Sequence, residues 1–213
     1  MLFRSGLSEL TPGPYTMDRL ADDLAGVLDA VGAERAVVVG LSIGGLVAQS
    51  LAARRPDLVQ ALVLMDTAPK IGTAEVWNER IAAVAEGGIE RLADGTMERW
   101  FAPSFREGRP EEVGFWRTML TRTPPAGWRA CAEAVRDADL TDAAARIAVP
   151  TLCLGGAHDG STPPDLVRAM AARIPNAEFE LIEDAGHLPN VEKPAAVAAR
   201  LERFAQEHGL DRR

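Results

Sequence analysis

Ala36-Val37-Val38-Val39-Gly40-Leu41-Ser42-Ile43-Gly44-Gly45 is the stretch on which the reading of this chain turns. Ala36 to Val39 are small or β-branched and uninterrupted, which reads as a short buried strand. Gly40 and Gly44 then bracket Ser42 as G-x-S-x-G, and an Ala/Leu-rich helical segment follows. Strand, sharp turn and helix are the setting in which a serine is held out at the end of a strand as a nucleophile. The expectation is that a turn this tight strains Ser42 and leaves no room for side chains at Gly40 and Gly44. The alternative is that two glycines punctuate a loop, so the rest of the chain has to decide.

Outward from that stretch the pattern is βαβ. Thr16 reads as an N-cap for a helix carrying Met17, Leu20, Leu24, Leu28 and Val31, with Gly32 as its stop, and Met1 to Tyr15 read as loop. After the turn, Leu46, Val47, Leu51 and Ala52 give a helix an apolar face, and Ala61 to Met65 form a second apolar strand. Short connections make these strands parallel neighbours. Residues 71–140 lose the apolar strands and show helical spacing, with Trp77, Trp100, Trp116 and Trp128 among them. They read as a helical cap packed on itself, with a face over the serine. The βα rhythm resumes with strands over Ala148–Leu154 and Ala177–Ile182 and helices near Pro164–Arg173 and Pro194–Glu207. The division expected is therefore 1–70 as first part of a core, 71–140 as cap and 141–213 as second part of the core.

Composition narrows the classes. The net charge is −8 with Lys70 and Lys193 as the only lysines, which argues against nucleic acid or an anionic membrane as partner. Cys131 and Cys153 make no disulfide framework, no signal-peptide pattern is visible, and no apolar run is long enough to cross a bilayer. A cytoplasmic protein is the expectation. The three histidines lack metal-ligand spacing, so no metal is expected.

Polar chemistry in a parallel sheet gathers at the carboxyl ends of its strands. Ser42 follows the first strand, Asp159 the third and His187 the fourth. A serine hydroxyl needs a base during attack, and an imidazole, with its ordinary pKa of about 6.5, supplies one. A carboxylate behind the imidazole orients it and stabilises the imidazolium. The backbone N–H of Ile43, at the helix start, is a donor for the oxyanion that develops. Asp159 is the preferred acid, and Asp184 is the rival within the histidine's own loop. His158 and His208 are expected to flank the site or face solvent.

The segments Gly40 to Gly45, Ile71-Gly72-Thr73 with Trp77, Glu98-Arg99-Trp100-Phe101, Arg136 to Leu140, Gly156-Ala157-His158-Asp159 with Thr162-Pro163-Pro164, and Ala185-Gly186-His187 with Asn190-Val191-Glu192 together resemble the 3-oxoadipate enol-lactonases, α/β-hydrolase-fold enzymes of aromatic catabolism. The resemblance runs from about Arg4 to Phe204. It implies an α/β-hydrolase fold with a helical cap, Ser42 as nucleophile, Asp159 as acid, His187 as base, Trp77 facing the substrate and no cofactor. It further implies hydrolysis of an anionic lactone whose carboxylate is met by one of the nine arginines of the cap.

Arg4 to Glu9 resemble the loop that follows the fourth strand in that family, so the expectation is an N-terminally truncated fold. On that expectation the Ala36–Val39 strand lies at an open edge and invites self-association. A missing second oxyanion donor would lower turnover by about 10²–10³-fold. Two other readings stand beside this one: another ester or carbon–carbon hydrolase on the same fold, and a fragment that binds but does not turn over.

Overall fold

In the computed structural model, which describes residues 10, 11 and 13–210, the chain alternates strand and helix on both sides of a large helical insertion. Its elements are α1 (Met17–Ala30), β1 (Ala36–Leu41), α2 (Ile43–Arg54), β2 (Val59–Met65), then α3 (Ala74–Gly87), α4 (Glu90–Trp100), α5 (Pro103–Gly108), α6 (Pro110–Thr121), α7 (Pro125–Asp137) and α8 (Thr141–Ala144). After these come β3 (Thr151–Gly156), α9 (Pro164–Ala171), β4 (Ala177–Ile182), α10 (Pro189–Glu192) and α11 (Pro194–Glu207). The resemblance over Arg4–Glu9 and most of the expected N-terminal loop lie outside the described residues.

The four strands pair in parallel in the order β1-β2-β3-β4. Their apolar runs follow from burial on both faces. Leu62 and Leu64 of β2 and Cys153 of β3 pack with Leu51, Val167 and Met170 on one side. Ala61, Val63, Met65, Leu152 and Leu154 meet Val197 and Phe204 of α11 on the other. Period-2 alternation thus divides each run between two helical layers. The Cys153 thiol lies in this core, and burial pushes its pKa up to about 12.

Three expectations need correction. β1 is not buried on both faces: Val37 and Val39 are 38% and 50% exposed, while Val38 is buried. β1 pairs with β2 alone among the described residues, so it has a strand neighbour on one side only, which leaves it less covered than β2 and β3. β3 starts at Thr151 rather than Ala148 and runs on to Gly156. Pro150 has no N–H for the ladder; its carbonyl only accepts, from Leu62 N–H at 2.9 Å. α9 stops at Ala171, short of Arg173.

The helix start expected at Thr16 and the stop expected at Gly32 are both present. Thr16 accepts from Arg19 N–H at the start of α1, and Gly32 has φ +69° beyond its end. The insertion holds a cluster of its own, Met97, Phe101 and Phe105 with Trp116 against them. A second cluster ties Tyr15, Leu20 and Leu46 to Ile71, Ala134 and Val135, fastening α7 over the start of α2. Among the described residues, no helix is long and apolar enough to cross a membrane.

Candidate active site

Ser42 sits between β1 and α2 at φ 55° and ψ −122°, a conformation a non-glycine residue adopts only when its surroundings enforce it. Hydrogen bonds to its backbone enforce it here, among them Leu46 N–H to the Ser42 carbonyl at 3.3 Å. Ser42 N–H donates to the Met65 carbonyl at 3.0 Å, and the Ser42 carbonyl accepts from Thr67 Oγ1 at 2.7 Å and Gly45 N–H at 2.8 Å. The steric expectation holds for Gly40, whose added Cβ would lie 2.3 Å from the Gly44 carbonyl oxygen. It does not hold for Gly44, where a Cβ meets nothing within 4 Å. The second tight glycine is Gly45, whose Cβ would lie 2.4 Å from the Thr67 side chain, because β2 ends against the first turn of α2. Ser42 makes no side-chain capping bond. Ile43 opens α2, and the first N–H groups of a helix have no acceptor within it.

Asp159 follows β3 and is buried. Its Oδ1 accepts from Ser161 N–H at 2.7 Å and Thr162 N–H at 3.1 Å, and its Oδ2 from Thr162 Oγ1 at 2.6 Å. His187 Nδ1 meets the same Oδ2 at 2.8 Å. Burial works against ionisation of Asp159, yet the bonds from His187, Thr162 and Ser161 outweigh it and hold the carboxyl below its usual range. An ionised Asp159 makes Nδ1 the protonated nitrogen of His187 and leaves Nε2 free to accept. Asp184 is elsewhere: it is exposed and bound by Ser104 Oγ and Lys193 Nζ. His158 is exposed, and His208 pairs with Glu178 at 3.1 Å.

The cap holds the histidine loop through backbone. His187 N–H donates to the Trp100 carbonyl at 2.8 Å, Gly160 N–H donates to the Arg99 carbonyl at 3.0 Å, and the Trp100 ring stacks on the imidazole with centroids 6.2 Å apart. Buried Glu192 completes the join, accepting from Ala102 N–H at 2.9 Å and Gly186 N–H at 2.7 Å.

Ser42, Ile43 and His187 open into a cavity of about 170 Å³ roofed by Trp77, Trp100 and Trp128. Trp77 is fixed by local geometry. Gly72 turns the chain at φ +69°, Thr73 caps α3, and one turn later Trp77 Nε1 donates back to the Ile71 carbonyl at 2.6 Å. Trp116 faces Phe101 inside the cap, so the tryptophans divide between core and cavity.

The sequence reading did not single out Arg80 and Arg99 among the nine cap arginines. Both line the cavity, and neither forms an ion pair among the described residues. The Arg80 guanidinium lies 4.9 Å from the Trp77 ring centre, and Arg99 donates to Thr96 Oγ1 at 3.1 Å. Burial depresses the pKa of both, and for Arg80 the nearby Arg99 adds to the effect. The cavity of this acidic protein therefore has a positive wall. Asp66, Asp159 and His187 offer ligand atoms within 4.8 Å of one another. His187 Nδ1 and Asp159 Oδ2 are bonded to each other, however, which leaves no room for an ion between them.

Residues 5–194 match the family profile described as alpha/beta hydrolase fold. The chain is 34% identical over 203 residues to 3-oxoadipate enol-lactonase 2 of Acinetobacter baylyi, covering 93% of this chain and 76% of that one. The crystal structure of the enol-lactonase from Burkholderia xenovorans LB400 superposes with a TM-score of 0.91 at 35% identity, covering 95% of this chain and 77% of that one. A thermophilic esterase from Thermogutta terrifontis superposes with a TM-score of 0.90 at 33% identity, covering 96% and 77%.

Proposed function

This chain belongs to the alpha/beta hydrolase fold family and is a carboxylic-ester hydrolase, and from that premise we propose that it opens the ring ester of 3-oxoadipate enol-lactone to give 3-oxoadipate. In this mechanism Ser42 Oγ attacks the lactone carbonyl while His187 Nε2 takes its proton. The Ile43 N–H stabilises the oxyanion. The ring C–O bond breaks, the leaving enol oxygen receives the proton from His187, and the enol relaxes to the ketone. Water, deprotonated by His187, then attacks the Ser42 ester; the bond to Ser42 Oγ breaks, Oγ takes the proton back from His187, and the new carboxyl group leaves as the second carboxylate. Asp159 keeps the imidazole in its working tautomer throughout.

The observation that carries the substrate class is the pair Arg80 and Arg99, two partly buried cations without ion pairs among the described residues, beside Ser42 and His187. A neutral ester leaves Arg80 without a counter-charge and Arg99 with only the more distant attraction of Glu98, whereas a lactone bearing a carboxylate meets both. The likeness to the A. baylyi and B. xenovorans enol-lactonases supports the same substrate. Two measurements test the proposal. A fluorophosphonate should form an adduct on Ser42, located by mass spectrometry, and the enol-lactone should turn over faster than neutral nitrophenyl esters. No adduct at high probe concentration refutes the serine mechanism; equal turnover of neutral short-chain esters refutes the substrate.

A further inference from the structure

Three of the four strands lead into residues assigned above; β2 leads directly into Asp66. That residue is fully buried, at φ 44°, with its N–H donating to the Leu154 carbonyl at 2.9 Å. Its Oδ1 accepts from Gly156 N–H at 2.7 Å, and its Oδ2 is buried with no donor facing it among the described residues. The neighbour is Asp159: an oxygen of each carboxyl group and a His187 nitrogen all lie within 4.8 Å of one another.

Two carboxylates that close cannot both hold a charge out of water. The structure settles which one carries it. Asp159 has four donors on its two oxygens, Asp66 has one. An unprotonated Asp66 Oδ2 would be a buried anionic oxygen without a donor, whereas a protonated one has the Asp159 carboxylate as acceptor. The other charged group acting on Asp66 is Glu192, whose negative charge also disfavours ionisation; His187 lies close by but is bonded to Asp159.

We propose that Asp66 is a positioning residue of this site: a carboxylic acid kept neutral beside Asp159, whose Oδ2–H donates to the Asp159 carboxylate and keeps a single negative charge behind His187. It touches no substrate. It acts by holding Asp159 against His187 and by limiting the field that stabilises the imidazolium, and it depends on the serine mechanism only for its effect on turnover.

Infrared difference spectroscopy of the resting enzyme tests it without turnover. At neutral pH the parent minus Asp66→Asn spectrum should contain the C=O stretch of a protonated carboxylic acid; its absence overturns the proposal. Kinetics supply the second readout. Asn reproduces a neutral, donating Asp66, so Asp66→Asn should rescue most of kcat/KM and leave its acid limb in place. Asp66→Leu should lower kcat roughly 10-fold or more with little change in KM. If Asp66 were ionised, removing its charge would displace the acid limb by about one pH unit or more, which also overturns the proposal. Fluorophosphonate labelling of the parent Ser42 is run alongside: failure to label sinks the serine mechanism, while the infrared band still decides Asp66.

Discussion

Glu192→Ala should be among the most damaging substitutions outside the triad, although Glu192 touches neither Ser42 nor the cavity. Its two oxygens accept from two buried amides, Ala102 at the α4–α5 junction and Gly186 in the histidine loop, 2.9 and 2.7 Å away. Removing the carboxylate orphans both. A buried N–H without an acceptor costs about 1–3 kcal/mol, so the pair costs about 2–6 kcal/mol. Part of this is offset, because burial already pushes the Glu192 carboxyl up and Ala no longer buries a charge. A net loss near the low end, about 2 kcal/mol, lowers the melting temperature by roughly 4–8 °C in a chain of this size. Glu192→Gln separates shape from acceptors: a carboxamide has one acceptor oxygen, so one amide stays orphaned and the loss is intermediate. Urea unfolding measures the stability, and hydrogen exchange at Ala102 and Gly186 shows whether the join has opened. A Glu192→Ala protein within about 0.5 kcal/mol of the parent, with both amides still protected, would refute the reasoning.

Arg99→Met removes one of the two cavity cations; it should raise KM for an anionic lactone about 10–100-fold and leave neutral esters nearly untouched, and equal effects on both would refute the anion role. Gly40→Ala drives a Cβ to 2.3 Å from the Gly44 carbonyl and should misform the turn, whereas Gly44→Ala meets open space and should unfold within about 1 kcal/mol of the parent; the reverse order in urea unfolding would overturn this. Asp66 has its pKa raised well above normal, chiefly by burial and then by Asp159, so the native state holds a proton that the unfolded chain releases above about pH 4. That contribution is complete at lower pH and is lost as pH rises toward the native value, by at most about 1.4 kcal/mol per pH unit. Relative to Asp66→Asn, the parent should therefore weaken as pH is raised, and parallel stability–pH curves for the two proteins would contradict the assignment.

Local order was enough for the frame. An unbroken apolar strand, G-x-S-x-G and an Ala/Leu-rich helix point to a sharp turn at Ser42, because the steric demands of such a turn act over a few residues. The apolar runs of β2 and β3 and the cap at Thr16 are legible for the same reason. Serine, aspartate and histidine after the first, third and fourth strands also point to one site, since parallel strands deliver their carboxyl ends to one edge. What needed the tertiary structure were contacts between segments distant in sequence. Asp159 and Asp184 are both loop aspartates near a histidine, and only packing seats one of them against His187 Nδ1 and leaves the other with Lys193. Gly45 is constrained by Thr67, across the βαβ unit, so G-x-S-x-G directed attention to Gly44 instead. Val37 and Val39 belong to an apolar run like that of β2, and only the sheet order, with β1 beside β2 alone among the described residues, goes with their exposure. Arg80 and Arg99 differ from the other cap arginines only in where their helices point them. Asp66 follows a strand just as Ser42, Asp159 and His187 follow theirs, so its position was legible. Its state was not, because a carboxyl group becomes neutral through the charge and burial around it, and those belong to the fold.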